Sequence, residues 1–453
     1  MIRLVSSIRH LGLSTIHLQS RTGYVRYYST GEPKQVRETP ETMGRRAYLT
    51  SVSTETRLSE TVDSIFRRAK EGKALFVNRK VLTPEYVPDK LLFREKQLNG
   101  VAEVLAPVLH GSKPSNLLLY GKTGTGKTAV AKYVLGRLQT ETSESKLAVS
   151  YVNTRIAGTE YRTLAEFALS LGLSRKEIPF TGLSIGELIN RIFERIRSGE
   201  RHVIFVIDEI DYLVKTHGDG SLYEFTRAGD RIIPGSLSLV GISNDLKFKE
   251  DLDPRVLSSL GEEEMVFPPY NVEELKEILK ERAAIAFEPS SFSESAINLC
   301  AAMAGSEHGD ARRAVDLLRI AGEVGEREGL QTIDDTCVKK ASDKMEHDRI
   351  EEAVRSLPLQ NKVILLAVSR FIGGTNTGEV YLAYSSIVKK TATELLTQRR
   401  VSGILAELDL LGLVEAAVVS KGRRGRTKRI RLLLEPETLN KILGEDPALT
   451  GLF

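Results

Sequence analysis

The chain has 453 residues, 41% hydrophobic and 27% charged, with a formal net charge of +4. That is an ordinary globular make-up, long enough for two to four domains with separate cores. No apolar run approaches the ~18 residues of a membrane-spanning helix, and two cysteines, Cys300 and Cys337, are too few for a metal cluster or a disulfide framework.

Residues 1–31 contain Arg3, Arg9, Arg21 and Arg26 among several serines, and no Asp or Glu. Such a composition suits an organellar transit peptide, a disordered tail, or an extension ahead of a later start such as Met43. Residues 32–57 are polar and aperiodic and read as a linker, so 1–57 is expected to be a disordered extension. From Glu60, Val62, Ile65, Phe66 and Ala69 fall at helical spacing. Val77–Lys96 brings Pro84, Pro88 and Phe93-Arg94-Glu95; Gln97–Leu109 then reads as a helix leading through a Gly111–Pro114 turn.

The apolar run Leu117–Tyr120 follows as a strand, then Gly121-Lys122-Thr123-Gly124-Thr125-Gly126-Lys127-Thr128, then a helix over Ala129–Leu138. Strand, glycine loop and helix N-terminus are the parts of a phosphate cradle: glycines turn successive N–H groups toward one anion, and the helix dipole favours its charge. Lys127 can reach the β- and γ-phosphates of ATP, and Thr128 can ligate Mg²⁺.

Leu147–Asn153 reads as a strand with Leu147, Val149 and Tyr151 on one face. Helical periodicity over Leu164–Leu171 precedes a turn-rich loop, Ser174–Ser184, and an amphipathic helix, Ile185–Ile196. Val203–Ile207 is apolar at every position, as a parallel strand covered on both faces should be. Leu237–Ser243 is a further strand, and strands separated by helices argue for an α/β domain with a mostly parallel sheet.

Asp208-Glu209 ends the apolar run about 80 residues beyond Lys127. There Asp208 can complete a Mg²⁺ shell and Glu209 can orient or deprotonate the attacking water. Asn244, just after a strand, is a candidate for positioning that water or the γ-phosphate. Arg255 and Arg312 are candidates for neutralising charge on the transferred phosphoryl group, from this subunit or a neighbour.

Past Pro268-Pro269, residues 272–345 give amphipathic helices and no strand. From Pro358 the pattern is helix 359–371, helix 378–390, helix 393–411 and strands 413–419 and 428–434, the plan of a winged helix. Val401, Ile404, Leu405, Leu408 and Leu411 form the core stripe of the third helix, and Thr397, Gln398, Arg399 and Arg400 occupy the N-terminal half, which in such folds enters the major groove and can meet base edges or phosphates. The hairpin tip has Lys421, Arg423, Arg424, Arg426, Lys428, Arg429 and Arg431 without an acidic residue, which suits an arm on phosphates or in a groove.

These motifs, in this order, resemble the AAA+ ATPases, and more closely the archaeal origin-recognition (Orc/Cdc-type) replication initiators. The matching stretches are Tyr86-Val-Pro-Asp with Phe93-Arg-Glu, the loop 121–128 and VIFVIDEID. They continue with Asp253-Pro-Arg-Val-Leu-Ser-Ser-Leu, Gly309-Asp-Ala-Arg312 and the basic wing. The resemblance implies an α/β AAA+ core (58–268), a helical lid (269–352) and a winged-helix domain (353–453). It also implies that Asn244 is sensor 1, Arg312 is sensor 2 and Arg255 is an arginine finger. Tyr270 and Arg282 join the ATP-binding residues, the Tyr86–Arg94 segment borders the adenine, and a DNA-contacting insertion lies within 155–184. The function it implies is an ATP-dependent initiator on double-stranded origin DNA that helps recruit or load the replicative helicase, alone or with copies or paralogues of itself. ATP binding and slow hydrolysis act as the switch. An ATP-gated transcription regulator and a clamp-loader-type or remodelling ATPase are the alternatives. The family's archaeal character makes an organelle unsuitable, so residues 1–57 are taken as a tail or misplaced start and the place of action as the cytoplasm, at the nucleoid.

Overall fold

The structure is a computed structural model. It describes residues 74–453 except 85, 144–145, 391–392, 421–425, 450–451 and 453, with backbone alone at 419–420, 426–427 and in two N-terminal strands. Those strands, β1 (Tyr24–Ser29) and β2 (Glu32–Arg37), form an antiparallel hairpin with Tyr24 opposite Arg37. The hairpin departs from the disorder expected there, and the tyrosines and valines at 24–28 and 36 are strand formers that explain it. The helix expected from Glu60 lies outside the described residues.

The centre of the chain is a five-stranded sheet of β3 (Leu117–Tyr120), β4 (Leu147–Asn153), β5 (His202–Asp208), β6 (Ser236–Ser243) and β7 (Glu263–Val266). The order is β4-β5-β6-β3-β7, and every neighbouring pair is parallel. Strand β7 is not anticipated above: four residues at an edge, two of them glutamates, leave no apolar signature. In β4 Leu147 and Val149 pack in one core, Val152 enters the core on the opposite face, and Tyr151, next on the Leu147 face, is 36% exposed near the strand's end.

Helices cover both faces. On one lie α1 (Glu95–Leu105) and α2 (Lys127–Glu141), sharing a core with Leu117, Leu119, Ile204 and Val206. On the other lie α3 (Thr154–Ala157), α4 (Glu160–Ser170), α5 (Ile185–Gly199), α6 (Ile210–His217), α7 (Gly220–Thr226) and α8 (Pro254–Leu260). There Phe167 stacks on Phe205 with ring centroids 3.8 Å apart. The alternation along β5 supplies both cores, which is why its sequence is apolar throughout.

The helical unit that follows consists of α9 (Val272–Ala286), α10 (Glu294–Ser306), α11 (Ala311–Glu328) and α12 (Asp335–Ser356). A reciprocal Asn271–Glu274 capping box starts α9. Leu75, Val81 and Leu82 pack in this helical core although they precede the sheet in sequence. Both cysteines are buried here as free thiols. Helix α12 runs unbroken into the next core, where Val354 is buried.

The winged helix comprises α13 (Leu359–Ser369), α14 (Thr377–Val388), α15 (Gln398–Leu410) and a three-stranded sheet in the order β8-β10-β9, closed by α16 (Pro436–Gly444). Its strands are β8 (Thr375–Asn376), β9 (Val414–Ser420) and β10 (Arg426–Leu432). Helix α15 starts five residues later than expected, because Thr397 caps it by accepting the Arg400 N–H. Leu411 leaves the expected stripe: it is the helix's C-cap residue and 50% exposed. No described helix is long and apolar enough to cross a membrane.

Candidate functional site

In a parallel α/β sheet the ligand crevice opens at the carboxyl ends of the strands, where strand order reverses. Here β3 lies between β6 and β7, and the loop 121–126 leaves its carboxyl end. Gly124 and Gly126 have φ of 71° and 91°, values that favour glycine. Close approach adds a second reason, since a Cβ on Gly124 would come within 1.7 Å of Asp310 Oδ1. Gly126 is the N-cap of α2, so the helix's first N–H groups face back into the loop. The Lys127 ammonium donates to the carbonyls of Gly121 and Lys122, each at 2.7 Å. Burial pulls its pKa down to about 8, opposed by the charge of Asp208.

Asp208 ends β5 beside that loop and is buried. Its Oδ2 accepts hydrogen bonds from the Thr128 hydroxyl at 3.0 Å and from the Tyr151 hydroxyl, and its Oδ1 accepts the Glu209 N–H at 2.9 Å. Glu209 has a left-handed backbone, φ 54°, which turns the chain sharply from β5 into α6. Asn153 Nδ2 lies 3.4 Å from Glu209 Oε1, and Arg155 Nη1 3.5 Å from Oε2. Asn244 follows β6 and donates its N–H to Asp211.

The helical unit closes the crevice. Asp310 caps α11 by accepting the N–H groups of Arg312 and Arg313, and the Ala311 N–H donates to the Gly124 carbonyl at 3.2 Å. Gly124, Thr125, Gly126, Lys127, Thr128, Asp208, Glu209, Asn244, Tyr270, Arg282 and Arg312 thereby line one cleft of about 320 Å³. Tyr86, Val87, Leu91 and Ile278 form its apolar end, where the Arg282 guanidinium lies 4.7 Å from the Tyr86 ring centroid.

Gly121, Lys122 and Thr123 shape the loop without lining this cleft, and Arg94 braces the loop from behind. Arg255 also stands outside it, exposed on α8 and paired with Asp253 through two 3.1 Å contacts. Tyr151, Asn153 and Lys132 line the cleft and were not anticipated. Sheet register could have found Asn153, because it pairs with Asp208 across β4 and β5.

In the winged helix, Gln398, Arg399 and Arg400 are exposed in the first turn of α15, and Arg400 lies 3.6 Å from Glu407. Lys428 lies on β10, partly buried, and Arg426 opens that strand. Lys421, Arg423 and Arg424 lie outside the described residues. Within 155–184, Ile156 and Phe180 are 79% and 77% exposed, and the Arg175 guanidinium lies 4.5 Å from the Phe180 ring centroid.

Residues 110–247 match the AAA domain, residues 276–343 the Cdc6 AAA+ ATPase-type lid domain, and residues 352–442 the Cdc6 C-terminal winged helix domain. The ORC1-type DNA replication protein 1 of Sulfurisphaera tokodaii is 47% identical over 395 residues, spanning 86% of this chain and 97% of that protein. The chain belongs to the ORC1-type DNA replication proteins. The ORC1-type protein of Pyrococcus abyssi is 45% identical over 402 residues, spanning 86% of this chain and 95% of its own. The structure of the Aeropyrum pernix ORC1 protein in complex with DNA superposes with a TM-score of 0.75 at 45% identity, covering 84% of this chain and all of that one. Cdc6p of Pyrobaculum aerophilum, 24% identical with a TM-score of 0.55, shares the fold. As an ORC1-type protein with an AAA domain and a Cdc6 lid, the chain is a nucleotide-binding ATPase of the AAA+ class.

Proposed function

We propose that this ORC1-type protein is an ATP-switched replication initiator that grips double-stranded origin DNA and helps recruit or load the replicative helicase. The observation that carries it is one chain joining a lid-closed phosphate cleft to a winged helix with an exposed Gln398-Arg399-Arg400 turn. In this reading residues 58–268, 269–352 and 353–453 are the ATPase core, lid and DNA-binding domain. DNA contacts come from Gln398, Arg399, Arg400, Lys421, Arg423, Arg424, Arg426 and Lys428, with a second grip from the loop around Phe180. A further copy or a paralogue can share the origin, at the nucleoid in the cytoplasm.

The adenine stacks toward Tyr86, Tyr270 and Arg282, while the loop 121–128 and Lys127 hold the phosphates. Thr128 and Asp208 are an all-oxygen pair 3.0 Å apart, the donor chemistry that a hard divalent cation takes, so Mg²⁺ fits here. When bound, Mg²⁺ supplies charge neutralisation on the β- and γ-phosphate oxygens. Glu209 orients and deprotonates the lytic water, and Asn244 positions it. Arg312 meets the γ-phosphate from the lid, and Arg255, exposed and away from its own cleft, serves a neighbour's. One hydrolysis set, with no second ATPase module among the described residues, suits a slow switch.

Mapping DNA sites by cross-linking and sequencing tests this, comparing the wild type with Lys127→Ala. Enrichment at a replication origin that weakens in the variant is expected; a footprint confined to promoters would make the chain a transcription regulator.

A further inference from the structure

We propose that Tyr151 is a positioning residue for the divalent cation of this ATPase, fixing the Asp208 carboxylate in the orientation that serves the ion. The assignment rests on the Mg²⁺·ATP reading of the cleft. Tyr151 sits two residues before the end of β4, the edge strand beside β5, so its side chain leaves the same face as that of Asn153. Its phenol crosses to the end of β5, where the hydroxyl donates to Asp208 Oδ2.

A carboxylate offers about four lone-pair positions. At Asp208 two on Oδ2 meet the hydroxyls of Thr128 and Tyr151, and one on Oδ1 meets the Glu209 N–H. The remaining position on Oδ1 is left for the cation or a water of its shell. Without Tyr151 the carboxylate would keep one hydrogen bond on each oxygen and lose the third contact that narrows its rotation about the Cβ–Cγ bond. The ring is itself held, with the Lys132 ammonium 4.6 Å from its centroid. A phenylalanine would fill the same position on the strand without donating, so only the hydroxyl ties this residue to the metal ligand. Outer partners of metal ligands typically set about 10- to 100-fold in metal affinity.

The test is Tyr151→Phe in the full chain, with a fluorescent N-methylanthraniloyl ATP as probe and Mg²⁺ titrated from an EDTA baseline. Equal affinity for the two proteins in EDTA is expected, with the variant's Mg²⁺ midpoint raised about tenfold and excess Mg²⁺ restoring wild-type affinity. An unchanged midpoint would overturn the assignment. So would an equal loss with and without Mg²⁺, which is the signature of a packing residue. A wild type that binds no probe, or binds it without regard to Mg²⁺, would overturn the Mg²⁺·ATP reading along with it.

Discussion

The guanidinium of Arg94 lies 3.6 Å from the ring centroid of Tyr270, with both side chains buried. Its Nε donates to the Thr125 carbonyl at 2.9 Å, Nη1 to Phe93 at 2.8 Å and Nη2 to Pro268 at 2.7 Å. One cation therefore ties the phosphate loop to the segment that leads into the lid, and burial pulls its pKa down from the usual arginine range. Removing it leaves three carbonyls without that donor in a closed space. Arg94→Ala should cost about 3–5 kcal/mol in thermal or urea unfolding, and Arg94→Lys should recover little because an ammonium lacks the planar fork. A variant that unfolds like the wild type would remove Arg94 from the list of structural ties.

The Glu209 carboxylate is a separate matter, because its contacts with Asn153 and Arg155 are long, at 3.4 and 3.5 Å. Glu209→Gln keeps the shape and removes the carboxylate proposed as the base. Nucleotide affinity should stay within about twofold while single-turnover hydrolysis falls by about 10²–10⁴-fold. Hydrolysis at the wild-type rate would exclude Glu209 as the base.

Most of this cleft was legible because its residues sit where covalent order alone puts them: at the end of a strand, in a glycine loop, at a helix start. Gly124, Lys127, Asp208 and Glu209 are of that kind. Tyr151 and Asn153 were not, since their partners are reached across the sheet and depend on strand order and register. Strand β7 escaped because a short edge strand with Glu263 and Glu264 has no apolar alternation to read. The placement of Leu75, Val81 and Leu82 among lid helices escaped for a related reason: an apolar residue does not say which core it enters. Arg94 was noticed as part of a motif, but its task of bonding three carbonyls is visible only in space.

Lys127 gives the cleft a pH dependence with a definite sign. Its pKa in the free protein is about 8, below the ordinary lysine value, because burial disfavours the charged form. Anionic phosphates favour that charged form, so the pKa must rise when nucleotide binds, and binding above that pH takes up a proton. Affinity should be nearly flat between about pH 7 and 7.5, where the ammonium is already charged. It should then fall with rising pH, approaching tenfold per unit beyond about pH 8.5 until the bound-state pKa is reached. Calorimetric titrations in buffers of different ionisation enthalpy would read the proton uptake directly. Affinity independent of pH across this range would mean that Lys127 is already charged throughout or does not meet the phosphates.

The first turn of α15 tests the DNA surface separately from the nucleotide site. Gln398, Arg399 and Arg400 are exposed there, and Arg400 is partly engaged by Glu407 at 3.6 Å. If an arginine contacts a phosphate, each one removed should reduce the steepness of log affinity against log salt by about 0.9 and weaken all sequences alike. If it reads a guanine edge, the loss should be about 1–3 kcal/mol and confined to sites carrying that base. Arg399→Ala and Arg400→Ala, measured by fluorescence anisotropy on origin and scrambled duplexes over a salt series, separate the two modes. Arg400→Ala should lose less than Arg399→Ala, since Arg400 must first leave Glu407 to reach DNA. Glu407→Gln should strengthen binding for the same reason. Unchanged binding in all three variants would move the DNA interface away from α15.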